Sequence, residues 1–419
     1  MNIELGYGRA SLSLRYDEGR YALLAPESHD ERPLSDAAVG EAFDSPIDSP
    51  TLEEIISPDE SILIVVSDAT RATASAQIIN LLVRRLVAMG ISPRDTSIIF
   101  ATGIHRRVTQ EEKRELLTPF IVQRMRAFNH DASDDSKLVS LGKTERGTPI
   151  ELNRALKEHD QLILTGAINF HYFAGFTGGR KSVCPGLASA RTVEATHMLA
   201  LDFERGGRRS GVGAGLLDGN PVHEECERIA AEAAPSFLIN TVTDEHGRAV
   251  RVYCGDWRAA HRKGCEEYAR EHSLRIDARR EVVVVSCGGA PYDINLIQAH
   301  KTLDMAAHAC VEGGAIVLVA ECADGFGRAD FLKWFETENS RALEARLQGA
   351  YEVNGQTAWS LLVKAESFRV HLVSKLADED VRLMRMIPAR TIDEALARID
   401  QGAEGYIMPR GAALLPVTT

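Results

Sequence analysis

Three short stretches hold the residue types that move protons, bind anions or ligate metals. The longest is Asn169 to Lys181, NFHYFAGFTGGRK, which follows an apolar run, QLILTGAI, from Gln161 to Ile168. It carries His171, glycines at 175, 178 and 179, and the adjacent cations Arg180 and Lys181. Glycine tolerates positive φ and close approach of a ligand to the backbone. Backbone amides of such a turn, with an amine and an imidazole opposite, suit a phosphorylated group. The second stretch, SDATR, places Asp68, Thr70 and Arg71 after an apolar run; the third, ATGIHR, places His105 and Arg106 after another. Imidazoles titrate near ~6.5 and exchange protons at neutral pH. Arg71 and the distant Lys301 suit a carboxylate, the arginine as a two-pronged donor. Gln298 and Lys301 stand one helical turn apart and share a face. His197 lies in RTVEATHML, a helical segment.

The glycine-rich stretch is not the common nucleotide phosphate loop. GFTGGRKS resembles G-x-x-x-x-G-K-[ST], but Arg180 intervenes between the last glycine and Lys181. A phosphate loop also leads directly into a helix, whereas Val183-Cys184-Pro185-Gly186 interrupts one within a turn. A nucleoside triphosphatase is disfavoured. A bare surface loop leaves His171, Arg180 and Lys181 unexplained.

The elements that must carry these loops show as alternating apolar strands and amphipathic helices. Ile62 to Val66 reads as a strand, Ala76 to Met89 as a helix ending at Gly90, and Ser97 to Phe100 as the next strand. Farther on, Glu281 to Ser286 is a strand, GGAPYD a turn, Ile294 to Val311 a helix and Ala315 to Ala320 a strand. The N-terminus alternates like a strand pair. Such βαβ repeats predict an α/β protein of two domains with mainly parallel, helix-covered sheets and a cofactor cleft between them. The charged helix Ala259 to Asp277 marks the boundary. The expected domains are 1–272, binding the cofactor and completed by 395–419, and 273–394.

A chain of 419 residues can bury two cores. With 48 Lys+Arg against 60 Asp+Glu, a net charge of −12 and no basic run, nucleic acid and anionic membrane are poor partners. Apolar runs are too short to span a bilayer. The seven cysteines are scattered, odd in number and form no C-x-x-C, as expected of reduced thiols in the cytoplasm.

SDATR, ATGIHR, NFHYFAGFTGGRK with the later His197, and DINLIQAHK (Asp293 to Lys301) occur in the order found in the nickel-dependent lactate racemase family, which the chain resembles over nearly its whole length. The resemblance implies a racemase or epimerase that inverts C2 of a 2-hydroxy acid. Its cofactor would be the nickel pincer nucleotide, a pyridinium-3-thioamide-5-thiocarboxylic acid mononucleotide with Ni(II), tethered covalently at Lys181. His197 matches the protein's metal ligand, His105 and His171 the paired acid/base residues. Arg71, Gln298 and Lys301 match substrate and intermediate contacts, and Trp359 a tryptophan near the substrate. Asp68 and Thr70 lie in the motif beside the cofactor; Gly178, Gly179 and Arg180 belong to its glycine-rich turn. Hydride would pass to and from the cofactor through a 2-keto acid while a histidine holds the hydroxyl proton. Cofactor-synthesis proteins would load the enzyme. One imidazole is enough where a square-planar nickel takes its other ligands from sulfur and carbon.

Ala72 stands where proline is usual in the family, Ile104 precedes His105 in place of a small or hydroxylated residue, and Ile297 replaces a tyrosine near the substrate. All three bear on which 2-hydroxy acid fits. Two alternatives remain: a nicotinamide-dependent oxidoreductase, for which SCGGAPYD offers only a broken G-x-G-x-x-G, and a non-catalytic carrier of the nickel cofactor.

Overall fold

Ile62 to Val66 are all fully buried, as an apolar run becomes when a sheet is covered on both faces. The computed structural model describes residues 1–25 and 32–418. The chain forms two compact units: residues 30–200 with 210–269, and residues 1–29 with 201–209 and 270–419.

The first unit is built on a six-stranded sheet. Its order from one edge is Ala249–Gly255, Phe237–Thr243, Gln161–Ala167, Ile62–Ser67, Thr96–Ala101 and Arg126–Asn129. The first pair is antiparallel and every other neighbour parallel. Ile64 lies opposite both Ile98 and Ile163. The helix Ser75–Ala88 buries Ile78, Ile79, Leu82, Val83 and Leu86, an i, i+4, i+8 stripe, against Ile62, Ile64, Val66, Ile98 and Phe100. Each such side chain contributes roughly 1.5–3 kcal/mol by leaving water.

The second unit has a six-stranded sheet that is parallel throughout: Ile387–Ala389, Arg369–Val373, Cys310–Val319, Arg280–Ser286, Gly405–Met408 and Tyr21–Leu23. Alternation along its central strands feeds two cores. Val283, Val285, Ile316 and Leu318 face the helices Leu296–Ala307 and Val353–Ser367. Val282, Val284, Ala315 and Val317 face Leu5, Leu14, Ile392 and Ala395.

This division corrects the expected domains at both ends of the chain. The chain passes from one unit to the other near residue 270, and residues 395–418 do not complete the first domain. Gly405–Met408 pairs with Val282–Val285, and Leu415–Thr418 pairs with Ser273–Ile276. Tyr21–Leu23 is the edge strand of the same sheet. Thr419 lies outside the described residues. Local periodicity carries no information about pairings separated by hundreds of residues, which is why sequence misplaces both ends.

The expected N-terminal strand pair is a hairpin, Asn2–Tyr7 with Ala10–Arg15. Its turn sits on the glycine turn after Arg280–Ser286. Ser286 Oγ donates to Gly6 O at 2.6 Å, Ala290 N to Gly8 O at 2.8 Å, and Gly8 N to Asp293 Oδ2 at 2.7 Å. A Cβ on Gly6 would lie 2.4 Å from the carbonyl carbon of Gly288. Strand order reverses beside this point, where open α/β sheets usually admit a nucleotide. The chain's own hairpin fills it.

Candidate active site

In the first sheet the order reverses between Ile62–Ser67 and Gln161–Ala167, whose neighbours run outward to opposite edges. Loops leaving the carboxyl ends of these strands and of Thr96–Ala101 carry Asp68, His171 and His105. Asp68 is 5% exposed. Its Oδ1 accepts from Thr70 N at 2.8 Å and from the Thr70 hydroxyl; its Oδ2 lies 2.9 Å from His105 Nδ1. Burial alone would raise this carboxyl, but His105, Arg71 and Thr70 together hold it well below the usual range. An ionised Asp68 must accept from His105 Nδ1–H, so the neutral ring keeps its Nε2 lone pair, the state of a base. The Arg71 guanidinium makes no ion pair or hydrogen bond among the described residues, although its charge acts on both Asp68 and Lys181. That leaves a planar donor fork available to a carboxylate or phosphate.

The glycine-rich turn is pinned from within the fold. Thr177 Oγ1 donates to Ala167 O at 2.7 Å and accepts from Asn169 N at 2.9 Å. Gly179, at φ +53°, donates its amide to Asn240 Oδ1 at 2.9 Å. A Cβ there would lie 2.5 Å from the His261 ring. The expectation that Arg180 reaches a cofactor is corrected. Its side chain is 1% exposed, donates to Ala174 O at 2.6 Å, and approaches Gly178 O and His261 Nε2. It braces the turn's carbonyls. The Gly179 amide is likewise already engaged, while Gly178 takes φ +76°.

Lys181 emerges from this turn with Nζ 3.3 Å from His171 Nε2. Desolvation, then the charges of Arg180 and Arg71, push its ammonium down to about 7. The Phe173 ring is a neighbour of every group here: 4.5 Å from the His171 ring, 5.0 Å from His197 and 5.6 Å from Lys181 Nζ. His197 sits in the last turn of the helix Ala190–Met198, capped by Ser189, whose hydroxyl accepts from Thr192 N. Burial, then the nearby Lys181, lower its imidazole to about 3. The Val193 carbonyl draws on its ring N–H, and Nε2 makes no hydrogen bond among the described residues. A neutral imidazole with one committed nitrogen is the form that ligates metals. No group of three or more His, Cys, Asp or Glu able to hold a metal occurs among the described residues. The donor set therefore fits a metal whose remaining ligands belong to an organic cofactor attached beside it.

The other expected residues belong to the second unit. Gln298 and Lys301 do share a helix face: Lys301 Nζ donates to Gln298 Oε1 at 2.6 Å. That leaves the Gln298 NH2 as its donor end. Ile297 is half-buried against the core. Trp359 is 4% exposed and its Nε1 lacks a hydrogen-bond partner among the described residues. It lines a cavity of about 390 Å³ with Arg205, Gly206, Gly207, Ser340, Arg341, Glu344 and Val363. Sequence reasoning missed Phe173, Asn240 and His261. The signal for Asn240 was a polar residue inside an apolar strand, FLINTVT.

Comparison with known proteins gives the family. The family described as lactate racemase N-terminal domain matches residues 7–207, and lactate racemase C-terminal domain matches residues 276–411. The lactate racemase of Lactiplantibacillus plantarum is 32% identical over 426 residues, and that of Thermoanaerobacterium thermosaccharolyticum 29% over 427, each alignment covering 99% of both chains. The solved lactate racemase apoprotein from T. thermosaccharolyticum superposes with a TM-score of 0.91 at 27% identity, covering both chains entirely. A Thermotoga maritima protein shares the fold, with a TM-score of 0.69 at 20% identity over 92% of this chain and 99% of its own. The chain belongs to the lactate racemase family and is an isomerase of the racemase type.

Proposed function

We propose that the enzyme inverts C2 of a 2-hydroxy acid, lactate or a close relative, with a nickel pincer nucleotide tethered at Lys181 and ligated by His197. The observation that carries this reading is the grouping of a neutral imidazole, a lysine amine depressed to about 7 and a shared Phe173 wall, where no group of three or more metal-ligating side chains occurs among the described residues. When bound, the cofactor would supply a reversible hydride acceptor. The chain's own residues do the rest. Arg71 holds an anionic group; His105 Nε2, set by Asp68, takes the hydroxyl proton of one enantiomer. His171 serves the opposite hand. Gln298 and Lys301 contact the substrate, with Ile297 and Trp359 shaping its pocket. The apolar Phe173 wall keeps water from the carbon that exchanges hydride.

A nicotinamide oxidoreductase is disfavoured by the second sheet, whose glycine turn is covered by the N-terminal hairpin. A carrier has no use for Asp68 and His105 as a hydrogen-bonded pair. Seven buried free cysteines favour a reducing, cytoplasmic setting, with loading by cofactor-synthesis proteins. No helix among the described residues is long and apolar enough to cross a membrane.

The test is to produce the protein in a host that makes the cofactor, weigh the Lys181 peptide, and assay nickel. Turnover of both lactate enantiomers without added NAD is then measured. An adduct on Lys181, about one nickel per chain and interconversion of the enantiomers are expected. An unmodified lysine without metal, beside a family member that loads normally, would overturn the reading.

A further inference from the structure

We propose that His171 prepares Lys181 for covalent attachment by holding it as a free-base amine, so that the chain itself drives acylation of this lysine by a carboxylic or thiocarboxylic derivative. This rests on the reading of Lys181 as the attachment point and names the residue that readies it.

The argument is a proton inventory. Ala174 N–H donates to His171 Nδ1 at 3.2 Å, so that nitrogen presents its lone pair. A neutral ring must then carry its proton on Nε2, which faces Lys181 Nζ at 3.3 Å. Nε2–H can donate only to an amine that has its own lone pair. An ammonium would need the ring proton moved to Nδ1, directly against the Ala174 N–H. Burial and the cations Arg180 and Arg71 favour the same state, against the smaller opposing pull of the Cys226 and Cys184 thiols. No carboxylate lies within ion-pair distance of Lys181 among the described residues. Phe173 adds an apolar wall.

In the reaction, the amine attacks the carbonyl or thiocarbonyl carbon of R–C(=Y)–X, where Y is oxygen for an amide and sulfur for a thioamide. The N–C bond forms, the C–X bond breaks, and the amine proton leaves with X as HX, with no change of oxidation state. His171 Nε2–H, released from the amine's lone pair, donates to Y as charge develops there.

The experiment uses the cofactor-free full chain and a small acyl donor, N-hydroxysuccinimidyl acetate, at limiting concentration between pH 6 and 9. Peptide mass spectrometry follows acetylation of Lys181, with exposed Lys143 as internal reference. Lys181 should label faster than Lys143 at pH 7, with a midpoint near 7. His171→Phe keeps a ring beside Phe173 but loses the N–H; its midpoint should rise by about one unit, slowing labelling at pH 7 about fivefold. His171→Gln keeps a donor and should fall between the two, and it serves where the phenylalanine variant does not fold. Equal labelling of Lys181 and Lys143, or a midpoint unmoved in a folded His171 variant, overturns the proposal. A reactive Lys181 that acquires neither adduct nor nickel in the loading host would instead sink the cofactor reading and leave this one standing.

Discussion

Asp68 and His105 form a pair in which the buried partner dictates what the exposed one can do. The His105 side chain is 44% exposed, against 7% for Asp68, so the imidazole is open to solvent while the carboxylate sets its tautomer. Asp68→Asn can present its NH2 to Nδ1 and reverse that tautomer. Turnover should fall roughly 10²–10⁴-fold, the range of a lost general base, with nickel content unchanged. Steady-state rates on both enantiomers beside a metal assay check this; a variant that loses nickel in proportion to activity would make Asp68 a structural residue. Arg71→Lys keeps the charge and loses the fork, and should cost about 1.5–3 kcal/mol in kcat/KM. An unchanged kcat/KM would remove Arg71 from the substrate site. His105, His171 and Lys181 are legible in the sequence because each sits in a short polar loop after an apolar strand. Arg180 is misread from sequence, which gives adjacency to Lys181 but not which way a side chain turns. His130, flanked by charge, reads as a surface residue; it is 1% exposed and bonded to Ala188 O and Asn153. Its neighbours in sequence point outward while it points in.

Among elements, the glycine-rich turn is the one whose shape the site depends on. Gly175 has φ +78°, and a Cβ there would lie 2.0 Å from the Leu216 carbonyl oxygen. Because that obstacle is backbone, Gly175→Ala should destabilise the protein by more than about 2 kcal/mol, strain and clash together. Urea unfolding measures it, and a loss under about 0.5 kcal/mol, the size of an ordinary surface change, would show the turn to be pliant. The helix carrying His197 is expected over Arg191 to Leu199 and found at Ala190–Met198. The helix after the first strand is one residue off at each end. Helical periodicity is local, so it reads well. Ala259 to Asp277 reads as one helix, but ends at His272 because Ser273–Ile276 is drawn out to pair with Leu415–Thr418. That competition is tertiary and has no local signature.

For the whole molecule, buried neutral histidines set the response to acid. Burial pushes His130, His300 and His371 down to about 4, and His197 and His223 to about 3. Between these values and the unfolded ~6.5, the unfolded chain binds more protons than the folded one. Stability is therefore full above about pH 6.5 and falls as pH drops toward about 4, by up to ~1.4 kcal/mol per displaced unit for each group. Urea midpoints at pH 7.5 and pH 5 should differ clearly; equal midpoints would mean the rings are already protonated in the fold. The α/β class is legible from alternating runs. The membership of the chain ends is not.

That membership has a consequence for how the protein is made. Tyr21–Leu23 leaves the ribosome before the whole of the first sheet, yet its strand neighbour, Gly405–Met408, is made only after that sheet. Residues 30–200 and 210–269 have every strand of their sheet in hand well before Gly405–Met408 is made. The first unit can fold during translation, while Tyr21–Leu23 waits for its strand neighbour until Gly405–Met408 has emerged. Synthesis stalled before residue 405 would leave a finished first sheet attached to an open second one, and a polypeptide truncated there should recruit chaperones where the released full chain does not.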